Sequence, residues 1–355
     1  MRNVTFVTMI AAACCASAAF ADEAATTRPA SPWDIAFGVG VYSDYVSRGI
    51  SQSNHRPSAN VYFEPRYNVN DNLQLYVSVV GWSIALPNRG STELDLYAGF
   101  RPTVGKISFD LGAWYYYYPG GQCFNSLLDA NGHTFGGDCY LNGVMPISGN
   151  VSKARASYIE YFAKVAWTPN DGFGLGGGVY YDPNWAQTGA NGLYAAGNIK
   201  VSAPSAWMPK GANLYVSAEV GRYWFGVTDS FYCTAGTVTA PIPALVPPPG
   251  GQCGGPVPPA FPIATLYPFG VPLPDYTTWN IGVGLTWSVF TIELRYSDST
   301  LSESQCEVLV GDFTSTFSPA NISAINPSGF GSKWCGQAFV ISLKGDVIGT
   351  SNFLK

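Results

Sequence analysis

The sequence predicts an all-β fold: a transmembrane, antiparallel, up-and-down β-barrel of about twelve strands with long extracellular loops. Three observations predict it. Apolar residues recur at every second position in segment after segment, aromatic residues mark both ends of that apolar face, and the connections alternate between short and long. Composition agrees, because the 355 residues are 15% aromatic and only 12% charged, with 40 Gly and 26 Pro. That charged share is about half of what a soluble domain carries. A formal charge of −5 argues against a nucleic-acid surface.

The chain opens MRNVTFVTMIAAACCASAAFADEAATT. One arginine, an apolar run and the small-x-small stretch Ala19-Phe20-Ala21 read as a secretory leader, residues 1–21, cut after Ala21. A lipoprotein reading at Cys14 is weaker, since Ala11 stands where a larger aliphatic residue is expected. Residues 22–32 form a short periplasmic segment, and 33–355 form one barrel domain. The mature chain has no uninterrupted apolar run long enough for a spanning helix.

From Trp33 to Tyr45 the apolar parity holds Trp33, Ile35, Phe37, Val39, Val41 and Tyr45, opposite Asp34, Gly38, Gly40 and Asp44. This is a strand period. Ala59 to Val69 repeats it, with Val61, Phe63 and Tyr67 opposite Asn60, Tyr62, Glu64 and Arg66. Leu73 to Trp82 is less clean, because Val80 and Trp82 fall on the polar side. The alternation returns at Thr92 to Arg101, Ile107 to Tyr117, Ile159 to Trp167, Phe173 to Tyr181 and Leu193 to Val201. Leu214 to Val220 follows, where Arg222 lands on the apolar parity and a bulge near Gly221 would reset it. Trp279 to Trp287, Phe290 to Tyr296 and Phe339 to Leu343 complete the set.

Alternation also suits a soluble sandwich, so the minor face decides. It carries Gly, Ser, Asn, Tyr and both signs of charge, while the apolar face ends in aromatics, with Trp33, Tyr67, Phe100, Trp167, Phe173, Trp287 and Phe290 at one end and Tyr45, Tyr115, Tyr117, Tyr181, Trp279 and Tyr296 at the other. Two aromatic girdles bounding an apolar band are the mark of an outer-membrane barrel. In AWYYYYPGGQC, 113–123, Tyr115 and Tyr117 belong to the outer girdle and Trp114, Tyr116 and Tyr118 to the lumen or its mouth.

Connections sort the same way. With the first strand entering from the periplasm, the inside connections are short and three outside ones are long, running Pro119 to Ala154, Val227 to Asp275 and Asp298 to Gly336. Each long loop holds two cysteines: Cys123 and Cys139, Cys233 and Cys253, Cys306 and Cys335. In an exported chain these read as disulfides within each loop, worth about 3 kcal/mol apiece in the chain-entropy model. Metal binding is the rival, but the sequence has only 2 His and no C-x-x-C spacing. The stretch Pro241 to Ile263 is too proline-rich for a strand interior; it reads as a stiff surface loop or as a flap at the pore.

The segment YSDYVSRGISQSNHRP, Tyr42 to Pro57, resembles the opening signature of the TorF-type porin family of proteobacterial outer-membrane proteins, on Asp44, Tyr45, Arg48, Gly49 and Ser51. ELDLYAGF, Glu93 to Phe100, and the aromatic run into Tyr118-Pro119-Gly120 are similar to the same family, so the resemblance covers about the first third of the mature chain. It implies a barrel and a porin role. The long cysteine- and proline-bearing loops depart from the pattern, and the chain ends Asn352-Phe353-Leu354-Lys355, without the terminal aromatic of such barrels.

A porin for small hydrophilic solutes or ions is therefore expected, in the outer membrane of a Gram-negative bacterium. About twelve strands imply a narrow lumen. Its inward charges are Glu64, Glu93, Asp95, Asp110, Glu160, Glu219 and Glu293 against Arg66, Lys164, Lys200 and Arg295. Charges kept from lipid face water or each other, so they form either a selective channel wall or a salt-bridged plug; the acidic excess favours cations weakly. Arg48 is either a ligand contact or a rim arginine on loop carbonyls. The alternative is a non-conducting structural, adhesion or receptor barrel displaying stapled loops. An enzyme is not expected, since His55 and His133 both lie in loops with no nucleophile paired to them. No cofactor or metal is implied, and the expected partners are outer-membrane lipid and small hydrophilic solutes, with self-association left open.

Overall fold

The computed structural model describes residues 32–122, 153–229, 272–312, 315–316, 329–330 and 332–349. The leader, its cleavage site and the 22–31 part of the following segment lie outside the described residues. So do Cys123, Cys139, Cys233, Cys253 and the proline-rich stretch 241–263.

Twelve strands close into one antiparallel barrel. They are β1 (Trp33–Tyr42), β2 (Ser58–Asn70), β3 (Leu73–Ser83), β4 (Thr92–Val104), β5 (Ile107–Tyr117) and β6 (Tyr158–Asn170). Then follow β7 (Phe173–Asp182), β8 (Gly192–Ser202), β9 (Ala212–Phe225), β10 (Tyr276–Trp287), β11 (Phe290–Ser299) and β12 (Ala338–Ile348). Each pairs with its neighbours in sequence, and β12 pairs with β1, Phe37 opposite Val347, to close the sheet. Closure removes both sheet edges, the condition for crossing hydrocarbon without unpaired backbone groups. No helix among the described residues is long and apolar enough to cross a membrane.

Short connections join strands at the end that holds Trp33 and Ile348. Several are two-residue hairpins whose chemistry is local. Gly105, at φ 61°, turns β4 into β5, and Ser288, at φ 57°, turns β10 into β11, matching the left-handed backbone that tight hairpins require. Asn70 Oδ1 accepts from the Asn72 N–H at 2.8 Å and Asn170 Oδ1 from the Gly172 N–H at 2.9 Å, so the turn asparagines satisfy backbone donors themselves. The long connections all leave from the opposite end, which by the rule of short periplasmic turns is the extracellular one.

The period-two pattern turns the chain inside out relative to a soluble protein. Val39 is 61% exposed and Ile281 51%, whereas Glu64 and Asp95 are 0% exposed. Trp33, Trp287 and Phe290 ring the periplasmic edge of the exposed band, and Tyr115, Tyr117, Tyr181 and Trp279 the extracellular edge. The buried cluster of rings and charges sits inside the barrel.

Three expectations are corrected. First, β1 ends at Tyr42, so Tyr45 is not a girdle residue: it is 2% exposed and stacks on Trp82 inside the lumen at 4.0 Å between ring centroids. Second, β3 runs unbroken through Val80 and Trp82; both point inward because the lumen at that level is filled, and Trp82 has Tyr45 to pack on. Third, no bulge interrupts β9. Its register against β8 and β10 is regular through Gly221 and Arg222, and Arg222 stays on the outer face near the rim, where its guanidinium lies 5.7 Å from the Trp224 ring centroid.

Candidate functional site

Inward tyrosines and inward carboxylates meet in pairs. The hydroxyl of Tyr76 donates to Asp110 at 2.6 Å, Tyr215 to Glu293 at 2.7 Å, Tyr45 to Glu93 at 3.0 Å, Tyr62 to Asp346 at 3.0 Å and Tyr194 to Glu219 at 3.3 Å. Tyr223 donates to Asp182, and Tyr116 to Glu160 at 3.3 Å. A buried carboxylate needs such donors to offset its desolvation. The rings fit because glycines stand beside them: a Cβ on Gly221 would come within 2.1 Å of the Tyr194 hydroxyl, and one on Gly284 within 2.3 Å of the Tyr215 ring. Glycine opposite tyrosine lets each ring lie against the wall.

In the periplasmic half, two ion-pair networks occupy different sectors. Glu64 on β2 accepts from Arg66 at 2.6 Å and Arg101 at 2.8 Å; Arg101 continues to Asp110 at 3.7 Å, and Asp110 to Lys164 on β6 at 3.6 Å. Across the barrel Glu293 pairs with Arg295 at 2.9 Å and Lys344 at 4.0 Å, and Arg295 also reaches Ser217 at 2.7 Å. Glu64, Arg66, Glu293 and Arg295 are buried, but the side chains of Arg101, Asp110 and Lys164 are 19, 20 and 24% exposed. Water reaches that strip of wall.

The extracellular half is built around Arg48. The connection between β1 and β2 folds back into the barrel instead of arching over it. Asp44 organises the turn, accepting from Ser51 Oγ at 2.7 Å, Ser53 Oγ at 2.8 Å and paired with His55 Nδ1 at 2.8 Å. Burial raises the Asp44 pKa, but the bonds from His55, Ser51 and Ser53 outweigh it and hold the carboxyl below its usual 3.8. The Asp44 hydrogen bond, against the opposing effect of burial, lifts His55 above 6.5, aided by the Lys333 carbonyl. Gly49, at φ 77°, passes so near β10 and β11 that a Cβ would lie 2.8 Å from Thr278 Oγ1 and Ser299 Cβ, so only glycine fits there.

Arg48 itself adopts φ 47°, a left-handed backbone that costs a non-glycine residue about 1 kcal/mol or more. Its side chain crosses the lumen to the far wall. It pairs with Glu160 on β6 through Nη1 at 2.7 Å and Nη2 at 2.9 Å, donates to the Tyr223 hydroxyl at 3.1 Å, and lies 4.5 to 5.1 Å from the ring centroids of Tyr180, Tyr194 and Tyr223. Tyr276 secures the strained backbone by donating to the Arg48 carbonyl at 3.0 Å. The expected rim position is thus overturned: Arg48 is a clasp across the lumen, because the folded-back turn aims it inward.

The clasp is tied to the last extracellular connection. Ser51 N–H donates to the Trp334 carbonyl at 2.8 Å, Gly336 N–H to the Gly49 carbonyl at 3.1 Å, and His55 Nε2 meets the Lys333 carbonyl at 2.7 Å. Cys335, bridged to Ile50 through the backbone, forms a disulfide with Cys306. Cys306 lies in the helix α1 (Glu303–Val310), capped by Ser302 and Gln305 in a reciprocal box. Above the clasp, loop residues surround a cavity of about 150 Å³ at the extracellular mouth.

All eleven inward charges read from the sequence face the lumen: Glu64, Arg66, Glu93, Asp95, Asp110, Glu160, Lys164, Lys200, Glu219, Glu293 and Arg295. Lys200 stands 4.4 Å from the Tyr215 ring centroid. Glu93 and Asp95, with no cation in ion-pair range among the described residues, are enclosed beside the clasp. The sequence singles out none of Asp34, Arg101, Asp182, Lys344 and Asp346 as a site residue, nor the tyrosine partners apart from Tyr45 and Tyr116, although Tyr62 lies on the polar parity beside Glu64. No group of metal-ligating side chains occurs among the described residues.

A closed sheet with an apolar, girdled exterior and an ionic interior defines an outer-membrane β-barrel, the class found in Gram-negative bacteria. Residues 26–175 match the model of a bacterial protein family of unknown function, Gcw_chp, which takes in β1 to β6 and the Arg48 turn. No curated protein matches the sequence. Among solved structures, an outer membrane channel from Pseudomonas putida F1 is similar at 9% identity and a TM-score of 0.41, over 90% of this chain and 96% of that one. LpxR from Salmonella typhimurium is similar at 10% identity and 0.36, over 88% and 99%, and OmpT, an outer membrane protein of Vibrio cholerae, at 9% and 0.32, over 89% and 97%. At that distance no function passes from them to this chain.

Proposed function

We propose that the barrel is a narrow porin through which small hydrophilic solutes or ions diffuse, with the Arg48 clasp as its constriction. The observation that carries this reading is the wetted strip of Arg101, Asp110 and Lys164, ionisable side chains partly open to water inside a wall whose other carboxylates are buried. A fully packed interior would have no use for such a strip. The resemblance of the turn around Asp44, Arg48 and Gly49 to the TorF-type signature supports the same reading. Lumenal carboxylates outnumber lumenal cations, which favours cations in transit.

The clasp favours a second reading, a barrel shut at rest, because Arg48 and its ring partners close the centre of the extracellular half. Recording from planar bilayers separates the two. Steady ohmic steps from the wild-type protein, with Lys164→Glu shifting the reversal potential toward cations, support the porin. Silence from a barrel that still shows heat-modifiable folding supports the shut state, and steps whose selectivity ignores Lys164→Glu remove that strip from the path.

A further inference from the structure

We infer that the cavity at the extracellular mouth is a binding site for a small aromatic organic cation. Its walls are apolar and aromatic, with Tyr158, Trp185, Tyr276, Leu309 and Trp334 among them, and Glu93 lies at its floor beside Arg48. An apolar cavity of about this volume accommodates a single benzene ring, so the space of about 150 Å³ sets the ligand at one ring with a small substituent.

The floor sets the charge. Glu93 is 1% exposed, its Oε1 takes the Tyr45 hydroxyl at 3.0 Å, and its Oε2, with the Asp95 carboxyl and Tyr118 hydroxyl nearby, has no partner in hydrogen-bond geometry among the described residues. Its neighbour Asp95 is fully buried, faces the Glu93 carboxyl, and has neither oxygen in hydrogen-bond geometry with any other described residue, although the Trp114 indole lies close. Both cations that line the cavity are already committed, Arg48 holding Glu160 through both terminal nitrogens and Lys153 paired with Asp229 and bonded to the Gln187 carbonyl. Two facing carboxyl groups with no cation in ion-pair range among the described residues lie under a cup of aromatic rings. Rings present their negative faces to a cation and a carboxylate completes the attraction, whereas an anion would meet like charge and a neutral ring would gain only from burial. The specified ligand is an aryl- or benzylammonium. This goes beyond conduction, because a mouth site of this kind stands whether the lumen below it passes ions or is shut.

The test is equilibrium binding of benzyltrimethylammonium to the full-length protein in nanodiscs of zwitterionic lipid, read by titration calorimetry, which needs no current. Saturable binding at one site is expected, with at least tenfold weaker affinity in Glu93→Gln and in Trp185→Leu, and none for benzoate. Glu93→Gln keeps an acceptor for Tyr45, and Trp185 sits at the rim, so folding of the second variant does not depend on the buried floor. Benzoate binding as well as the ammonium, or either folded variant binding like the wild type, overturns the site.

Discussion

Replacing Arg48 tests the clasp most directly. Arg48→Ala leaves Glu160, 0% exposed, without the guanidinium that meets it at 2.7 and 2.9 Å. Stripping one partner from a buried, hydrogen-bonded ion pair costs about 3–5 kcal/mol. The three ring contacts add to that, each worth about 0.5–2 kcal/mol when desolvated, while release of the left-handed backbone at residue 48 returns about 1 kcal/mol. A net loss of at least about 3.5 kcal/mol is expected in reversible urea unfolding from lipid. Arg48→Lys keeps the charge but neither the bidentate fork nor the planar stack, and falls between. In the double variant with Glu160→Gln the losses do not add; a coupling above about 1 kcal/mol is expected for groups in direct contact. In bilayers Arg48→Ala gives larger conductance steps than the wild type, or opens a silent barrel. A loss below about 1 kcal/mol together with unchanged conductance would refute the clasp.

The His55–Asp44 pair makes the folded-back turn pH-dependent. Folding raises the His55 pKa above 6.5, so its contribution is complete below that value and fades as pH climbs through the raised one; Asp44 is depressed below 3.8, and its contribution disappears only as pH falls through the lowered value. Protection factors across residues 43–57, with the base-catalysed intrinsic rate divided out, should be higher at pH 5 than at pH 8, and that difference should vanish in His55→Gln; an equal change in protection in that variant contradicts it. Reduction of the Cys306–Cys335 bond, whose partners are 29 residues apart, removes about 3–4 kcal/mol of loop constraint. Because Cys335 pairs with Ile50, proteolysis within 43–57 should accelerate in reductant, and an unchanged rate speaks against the tether. Gly221→Ala forces a Cβ to within 2.1 Å of the Tyr194 hydroxyl; overpacking of about 1–3 kcal/mol should lower the urea midpoint, and a midpoint equal to wild type would show that the ring moves freely.

The fold was legible because a strand between lipid and lumen obeys a strict two-residue rule, and the rule is visible wherever the inner face is polar. It blurred where the inner face is apolar. Val80 and Trp82 look misplaced in the sequence because a filled lumen wants hydrophobic side chains, and Arg222 looks misplaced because a rim residue escapes the lipid rule. The strand ends were less readable. Tyr45 continues the parity of β1, yet the Asp44 hydrogen bonds to Ser51, Ser53 and His55 bend the chain inward three residues after Tyr42.

Local alternation, turn chemistry and the sorting of loop lengths therefore determined the barrel, its exterior, its strand number and which charges point inward, since each depends on residues near one another in the chain. Apart from same-strand pairs such as Glu64–Arg66 and Glu293–Arg295, which inward group meets which was decided only by the tertiary structure. Arg48 reaches Glu160 and Tyr223 over separations of 112 and 175 residues, and Tyr62 finds Asp346 over 284. A periodic pattern says which face a side chain takes; only the closed sheet brings opposite walls near enough for ion pairs and rings to fill the space between them.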